Sequence, residues 1–118
     1  MTGNFSDTTS IYLQIAEMLE NDILRGVLQP EEQAPSTNEL ARAYSINPAT
    51  AAKGINLLVD EGILYKKRGI GMFVSSDGRD KIVQKQKNAF YDTYVGGLVK
   101  EAAALGVTKE ELAAMIER

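Results

Sequence analysis

The stretch Asn47-Pro48-Ala49-Thr50-Ala51-Ala52-Lys53-Gly54-Ile55-Asn56-Leu57-Leu58-Val59-Asp60-Glu61-Gly62-Ile63-Leu64 decides the fold of this chain. Asn47-Pro48 reads as a helix start. Asn caps the first free backbone N–H groups, and Pro fits the first helical position, where no N–H is needed. The spacing predicts a helix from Ala49 to Glu61, with Gly62 as a left-handed stop. Ala51, Ile55 and Leu58 share one face, with Gly54 and Val59 beside them. Ala49, Thr50, Lys53 and Asn56 lie opposite. That outward face is small, polar and singly basic, whereas a helix meant only for water carries a larger charged face.

Immediately upstream, Ser36-Thr37-Asn38-Glu39 fits a capping box, in which Ser36 caps forward and Glu39 reaches back to the cap N–H. Leu40, Ala41 and Tyr44 give this shorter helix an apolar side. Ser45-Ile46-Asn47 leaves room only for a tight turn, with Ile46 as its apolar plug and Ala41 small enough for a crossing. Two short helices joined this closely form a helix-turn-helix. Downstream, Ile63 to Lys67 reads as a strand, Arg68-Gly69-Ile70-Gly71 as a turn and Met72 to Ser75 as the returning strand. Lys66-Lys67-Arg68 places three positive charges at the tip. The expected fold is mainly α with a small β-hairpin, a winged helix-turn-helix. Its second helix would enter the major groove while the hairpin lies alongside the duplex.

The chain has 118 residues and a formal net charge of -3, with a pI of about 5.0. Its total charge does not advertise nucleic acid, so the argument rests on the local placement of Lys53 and Lys66 to Arg68. The absence of cysteine excludes disulfides and suits a reducing cytoplasm. No apolar run approaches the ~20 residues of a membrane span, and the first nine residues lack the pattern of a signal peptide. With no His and no Cys, the common general base, thiol nucleophile and soft metal ligands are missing. Arg68-Gly69-Ile70-Gly71 lies in a hairpin and lacks the strand-to-helix context of a phosphate loop. An enzyme, a metal site and a cofactor are therefore not expected. The stronger competitor is a winged helix used as a protein-binding adaptor, which the acidic pI favours.

Met1 to Thr9 reads as a polar, loose start. Ser10 is placed to cap a first helix from Ile11 to Arg25, with Ile11, Ile15, Met18 or Leu19, and Asp22 or Ile23 as its buried stripe. Gly26 ends it, and Val27 to Pro35 is a connector. Ser76-Asp77-Gly78 reads as a break, dividing a DNA-binding domain at 1–76 from a tail at 77–118. Within the tail, apolar residues recur at helical spacing from Phe90 onward. They predict one helix from Asp80 to Leu105, about 26 residues and ~39 Å long. Gly96-Gly97 interrupts it with a kink or a close helix crossing, and Gly106 closes it. Thr108-Lys109-Glu110-Glu111 is a second capping box, opening a final helix with Leu112, Met115 and Ile116 inward. Phe90, Tyr91, Tyr94, Leu98, Ala102, Leu105, Leu112, Met115 and Ile116 are the expected dimerisation residues. Left open, they would form an apolar patch of a kind monomers seldom expose.

Taken together, these segments resemble the GntR family of transcription regulators, and specifically its short YtrA-like branch. Ile11-Tyr12-Leu13-Gln14-Ile15 resembles the family's opening helix. Pro35-Ser36 with Glu39-Leu40-Ala41 is similar to the start of its second helix. Ile46-Asn47-Pro48-Ala49-Thr50 resembles the turn and recognition-helix start of the branch. Leu58 to Leu64 and Arg68 to Val74 resemble the end of that helix and the wing. The resemblance implies a homodimeric repressor of a nearby transport operon, with a short two-helix dimerisation tail in place of a large effector domain. Four positions depart from the family pattern. Glu31 stands where a glycine is usual, Ala34 replaces a leucine, and Asn38 and Ala52 occupy places often held by arginine. They bear on which operator is read and leave the fold reading intact.

The candidate DNA contacts are Ser36, Thr37 and Asn38 at one helix N-terminus, where N–H groups favour a phosphate. To these are added Asn47, Pro48, Ala49, Thr50 and Lys53 on the recognition helix, with Asn56 a turn beyond, and Lys67, Arg68, Gly69 and Gly71 in the wing. The bland alternatives are capping at Ser36, a solvated face on the helix and solvated charges on the hairpin. Glu31-Glu32 and Glu110-Glu111 read as solvated carboxylates. The expected partners are an operator duplex and a second copy of the chain. No residue names a small-molecule effector, although two short tails meeting at an interface would have room to enclose one.

Overall fold

A computed structural model describes residues 10–118, so the reading of Met1 to Thr9 lies outside the described residues. Two compact units divide the chain, one ending at Val83 and one spanning Gln84–Arg118.

In the first unit α1 (Ile11–Leu24) begins after Ser10. The Ser10 carbonyl accepts hydrogen bonds from the Leu13 and Gln14 N–H groups, but its side chain makes no cap, contrary to expectation. Ile15, Ala16, Met18, Leu19 and Ile23 face the core. Ile11 does not join them: it is 39% exposed. Tyr12, half-buried, takes its place, and the inward stripe runs Tyr12, Ile15, Ala16, Leu19, Ile23. Gly26, at φ +79°, turns the chain out of the helix.

Next, α2 (Thr37–Tyr44) carries the expected capping box: Ser36 Oγ accepts from the Glu39 N–H at 3.0 Å, and the Ser36 N–H donates to Glu39 Oε1 at 3.1 Å. Ser45, in the left-handed region at φ 53°, closes it, and Asn47 Oδ1 caps α3 (Pro48–Asp60) at the Ala49 N–H. Leu40, Ala41, Ala51, Ile55 and Leu58 are buried between these helices, with Ile46 packed against them. Gly62, at φ +76°, ends the run as its position predicts. Gly54 lies where α3 crosses α1. A Cβ there would sit 2.7 Å from the Tyr12 carbonyl oxygen and 2.9 Å from Ile15 Cγ2. The crossing is this close because position 54 has no side chain.

The hairpin follows as β1 (Leu64–Lys67) and β2 (Gly71–Val74), antiparallel, with Leu64 opposite Val74 and Lys67 opposite Gly71. The connector between α1 and α2 is more ordered than its composition suggests. The Glu31 and Ala34 N–H groups donate to the Val74 and Met72 carbonyls, the Val74 N–H donates to the Glu32 carbonyl, and Gln33 bridges Phe73. It therefore lines the outer edge of β2 and protects an otherwise open strand.

The helix α4 (Gly78–Phe90) starts inside this first unit. Gly78 and Ile82 are buried, the Arg79 side chain donates to the Leu24 carbonyl, and Lys81 donates to the Gly62 carbonyl while pairing with Asp77 at 3.3 Å. Compaction thus continues past the break at Ser76-Asp77-Gly78, because Ile82 completes the core formed by Ile15, Leu19, Leu58, Ile63 and Val74.

The single long α-helix expected in the tail is replaced by three consecutive segments: the end of α4, a π-helical turn (Tyr91–Val95) and α5 (Gly96–Ala104). Gly96 is where the wide turn ends, its N–H donating to the Tyr91 carbonyl five residues back. Gly106, at φ +72°, stops α5 as its position predicts. The final helix, α6 (Lys109–Glu117), opens with the expected capping box between Thr108 and Glu111.

Candidate nucleic-acid interface

The two capped helices and the hairpin place most of the sequence-selected residues on the outside of the first unit. On α3, Pro48, Ala49, Lys53 and Asn56 are exposed and Thr50 is half-buried, while Ala51, Gly54, Ile55 and Leu58 anchor the opposite face. The helix is held from behind and presents short side chains in front, which lets a helix approach base edges in a groove about 12 Å wide.

Lys53 is not left to solvent. Its Nζ stands over the Tyr12 ring, 4.1 Å from the centroid. Tyr12, Ala49, Ala52, Lys53, Asn56, Leu57 and Asp60 line a shallow open groove along α1 and α3. Sequence reasoning missed Tyr12, although its spacing from Ile15, Ala16 and Leu19 places it on the inward side of α1 facing α3.

At the start of α2, Ser36 and Asn38 are exposed and Thr37 half-buried. Their helix end already holds a carboxylate, that of Glu39 in the capping box. This charge satisfies part of the N-terminal field that would otherwise favour a phosphate. On α3, Asn47 uses its side chain for the cap, so its structural role is secure.

In the hairpin, the three basic residues do not all sit at the tip. Lys66 and Lys67 belong to β1, while Arg68 and Gly69 lie in the turn. Lys67 Nζ stands 4.2 Å from the Phe73 ring centroid and 5.9 Å from that of Tyr65, so its ammonium is steered along one face of the ribbon. Gly69 at φ +76° permits the reversal. Gln33 braces the tip by donating to the Ile70 carbonyl at 3.1 Å, and a Cβ at Gly71 would sit 2.6 Å from the Gln33 amide nitrogen.

Glu31 lies in the left-handed region at φ 67°. The physical reason a glycine suits this place is now visible, since a side chain there meets steric strain. In this chain the Glu31 carboxylate accepts a hydrogen bond from the Tyr65 hydroxyl, tying connector to hairpin. That bond, then desolvation and then the carboxylate's charge, raise the Tyr65 pKa above its ordinary value.

The second unit carries the residues expected to dimerise. Phe90, Tyr91, Tyr94, Leu98, Leu105, Met115 and Ile116 are exposed, Tyr94 to 63% and Ile116 to 72%. Phe90 and Tyr94 stack across the π turn with centroids 5.3 Å apart. Met115 and Ile116 do not turn inward as expected, because α6 has no buried residue, and Leu112 is half-buried. Ala102, at 9% exposed, is already covered within the chain and is not part of an open face. Among the described residues no group of His, Cys, Asp or Glu could hold a metal ion, and no helix is long and apolar enough to cross a membrane.

A helix-turn-helix whose second helix is backed by the core and flanked by a basic hairpin defines a winged helix DNA-binding fold. The profile of the family described as "Bacterial regulatory proteins, gntR family" matches residues 11–74. The chain is similar to the HTH-type transcriptional regulator YhcF of Bacillus subtilis, 32% identical over 112 residues that cover 95% of this chain and 91% of that protein. It is also similar to the HTH-type transcriptional repressor YtrA of the same organism, 31% identical over 105 residues covering 89% and 80%. The repressor NagR of B. subtilis is longer: at 32% identity the match covers 98% of this chain and 49% of NagR. Among solved structures, a GntR family transcriptional regulator from Listeria monocytogenes aligns with a TM-score of 0.68 and 26% identity, covering 96% of this chain and 97% of the other. The DNA-binding domain of AraR, in complex with operator ORR3, aligns with a TM-score of 0.52 and 34% identity over 54% of this chain and 77% of the other. This chain belongs to the GntR family of bacterial regulatory proteins and is a DNA-binding transcriptional regulator, not an enzyme.

Proposed function

We propose that the protein is a cytoplasmic, homodimeric repressor that reads an inverted-repeat operator in double-stranded DNA. The observation that carries this reading is the outward face of α3. Ala49, Lys53 and Asn56 are exposed on a helix whose other side is locked into the core, beside a hairpin bearing Lys66, Lys67 and Arg68. In this reading Thr50 and Lys53 meet base edges or phosphates, as does Asn56. Asn47, Pro48 and Ala49 set the approach of the helix end, and Ser36, Thr37 and Asn38 border the backbone. Lys67, Arg68, Gly69 and Gly71 bring the wing against it. Likeness to the YtrA repressor, over most of both chains, supports repression, and the branch resemblance supports a transport operon as the target.

The dimer reading assigns residues 77–118 to assembly. The exposed Phe90, Tyr91, Tyr94 and Leu98, with Leu105, Met115 and Ile116, suit burial against the same surface of a second copy. Ala102 supports this face from within the chain, and Leu112 borders it. Two recognition helices related by a two-fold axis require half-sites about one helical turn, or a multiple of it, apart.

Selection of bound sites from random duplexes tests the reading directly. The expected result is an enriched inverted repeat whose affinity falls steeply with salt, because neutralised phosphates release counterions. Recovery of no duplex above competitor DNA would leave the winged helix as a protein-binding adaptor.

A further inference from the structure

The Lys53 side chain sets a physical problem for the proposed contact. A lysine ammonium is a point charge on a flexible four-carbon stem, and fixing that stem costs rotamer entropy when it binds. On a face where Ala49 and Ala52 are the neighbours, no carboxylate or carbonyl is recorded as holding it in place. What it does meet is an aromatic ring from another helix: Nζ lies 4.1 Å from the Tyr12 centroid. Tyr12 is held there from below. It is half-buried, its neighbours Ile15 and Ala16 are in the core, and its carbonyl packs against the bare Cα of Gly54 at the helix crossing. The ring face is negative and attracts the ammonium without using any of its three N–H donors. Lys53 remains exposed, so those donors stay available to an acceptor from outside. Tyr12, Lys53 and Asn56 line one groove, open along the same side as the outward face of α3.

We propose that Tyr12 is a positioning residue for DNA recognition, one that holds the Lys53 ammonium on the reading face of α3 before the duplex arrives. This rests on the reading of Lys53 as a DNA contact. Tyr12 acts through its ring and through Lys53, and its hydroxyl takes no part.

Binding to the duplex recovered by selection is measured for the full chain and for Tyr12→Leu, Tyr12→Phe, Lys53→Ala and the double variant Tyr12→Leu/Lys53→Ala. Thermal melts and proton NMR of the free proteins accompany them. In free wild type the ring face shifts the Lys53 ε-methylene protons upfield; Tyr12→Phe keeps the shift and Tyr12→Leu abolishes it. Tyr12→Leu is expected to weaken specific binding by roughly two- to five-fold, the scale of one exposed cation–π contact. Tyr12→Phe retains wild-type affinity. In the Lys53→Ala background, Tyr12→Leu has no further effect. An equal loss from Tyr12→Leu in both backgrounds, with a lowered melting temperature, would show a packing role and overturn the proposal. Loss from Tyr12→Phe equal to that from Tyr12→Leu would show a direct hydroxyl contact and overturn it too. Tighter binding by Tyr12→Leu would mean that the ring masks Lys53, which is the opposite of the proposal. If Lys53→Ala itself binds like wild type, the DNA role of Lys53 falls and the positioning role falls with it. If Lys53→Ala weakens binding and Tyr12 is uncoupled, only the positioning role falls.

Discussion

Replacing Gly54 by alanine adds one methyl group at the crossing of α1 and α3. The new Cβ would lie 2.7 Å from the Tyr12 carbonyl oxygen, 2.9 Å from Ile15 Cγ2 and 3.1 Å from Ile15 Cβ. Two of these separations are shorter than real Cβ contacts, and the nearest atom is backbone within a helix, which cannot rotate aside. The helices must separate, and a shift there loosens Ile15, Ile55 and Leu58 together, all fully buried. Overpacking of this kind costs about 1–3 kcal/mol and more when backbone must move. Alanine returns about 1 kcal/mol through its better helix propensity. The net expectation is a loss of about 1–2 kcal/mol. For a unit of this size that lowers the melting temperature by roughly 5–15 °C, at about 4–8 °C per kcal/mol. Urea titration with circular dichroism at the helix band measures it. The midpoint should fall while the slope stays constant, since the exposed surface on unfolding is unchanged. An alanine variant as stable as wild type, or more stable, would refute the reasoning, because propensity alone would then govern the site.

Other perturbations probe the remaining claims. Lys53→Ala should weaken operator binding by about 1–3 kcal/mol, whereas Arg68→Ala should weaken all duplexes evenly and reduce the salt slope by about one, as measured by titration at several salt concentrations. Tyr94→Glu with Leu98→Glu would place two charges in the proposed seam, and sedimentation should show a monomer at micromolar concentration; a dimer would mean that the tail has another job. Glu31→Gly should leave stability within about 1 kcal/mol of wild type, because relief of left-handed strain offsets the added freedom of the unfolded chain, while Glu31→Val should cost about 1–2 kcal/mol, read from urea midpoints. The Tyr65 pKa is raised by its bond to Glu31, so that bond's contribution is complete below the ordinary tyrosine value of 10.0 and is lost as pH rises through the higher folded value. Site-resolved NMR titration should show the Tyr65 transition returning toward 10.0 in Glu31→Gly.

What the amino-acid sequence determined by itself was the local grammar of the chain. The capping boxes at Ser36 and Thr108, the Asn47-Pro48 start and the left-handed stops at Gly26, Gly62 and Gly106 all act within four residues of themselves. Side-chain caps and positive φ angles need no distant partner. The helix-turn-helix, the hairpin and the outward face of α3 were legible for the same reason. What tertiary structure decided were contacts whose partners lie far apart in the chain. Gln33 meets Phe73 along the hairpin edge, Glu31 meets Tyr65, and Tyr12 comes beneath Lys53. Ile82 enters the core from beyond a break that composition marks clearly, and Ile11 yields its inward place to Tyr12. Periodicity assigns a residue to a face but does not name what that face will meet. A pairing separated by 34 or more residues depends on how the helices cross, and that crossing was set by a missing side chain at Gly54.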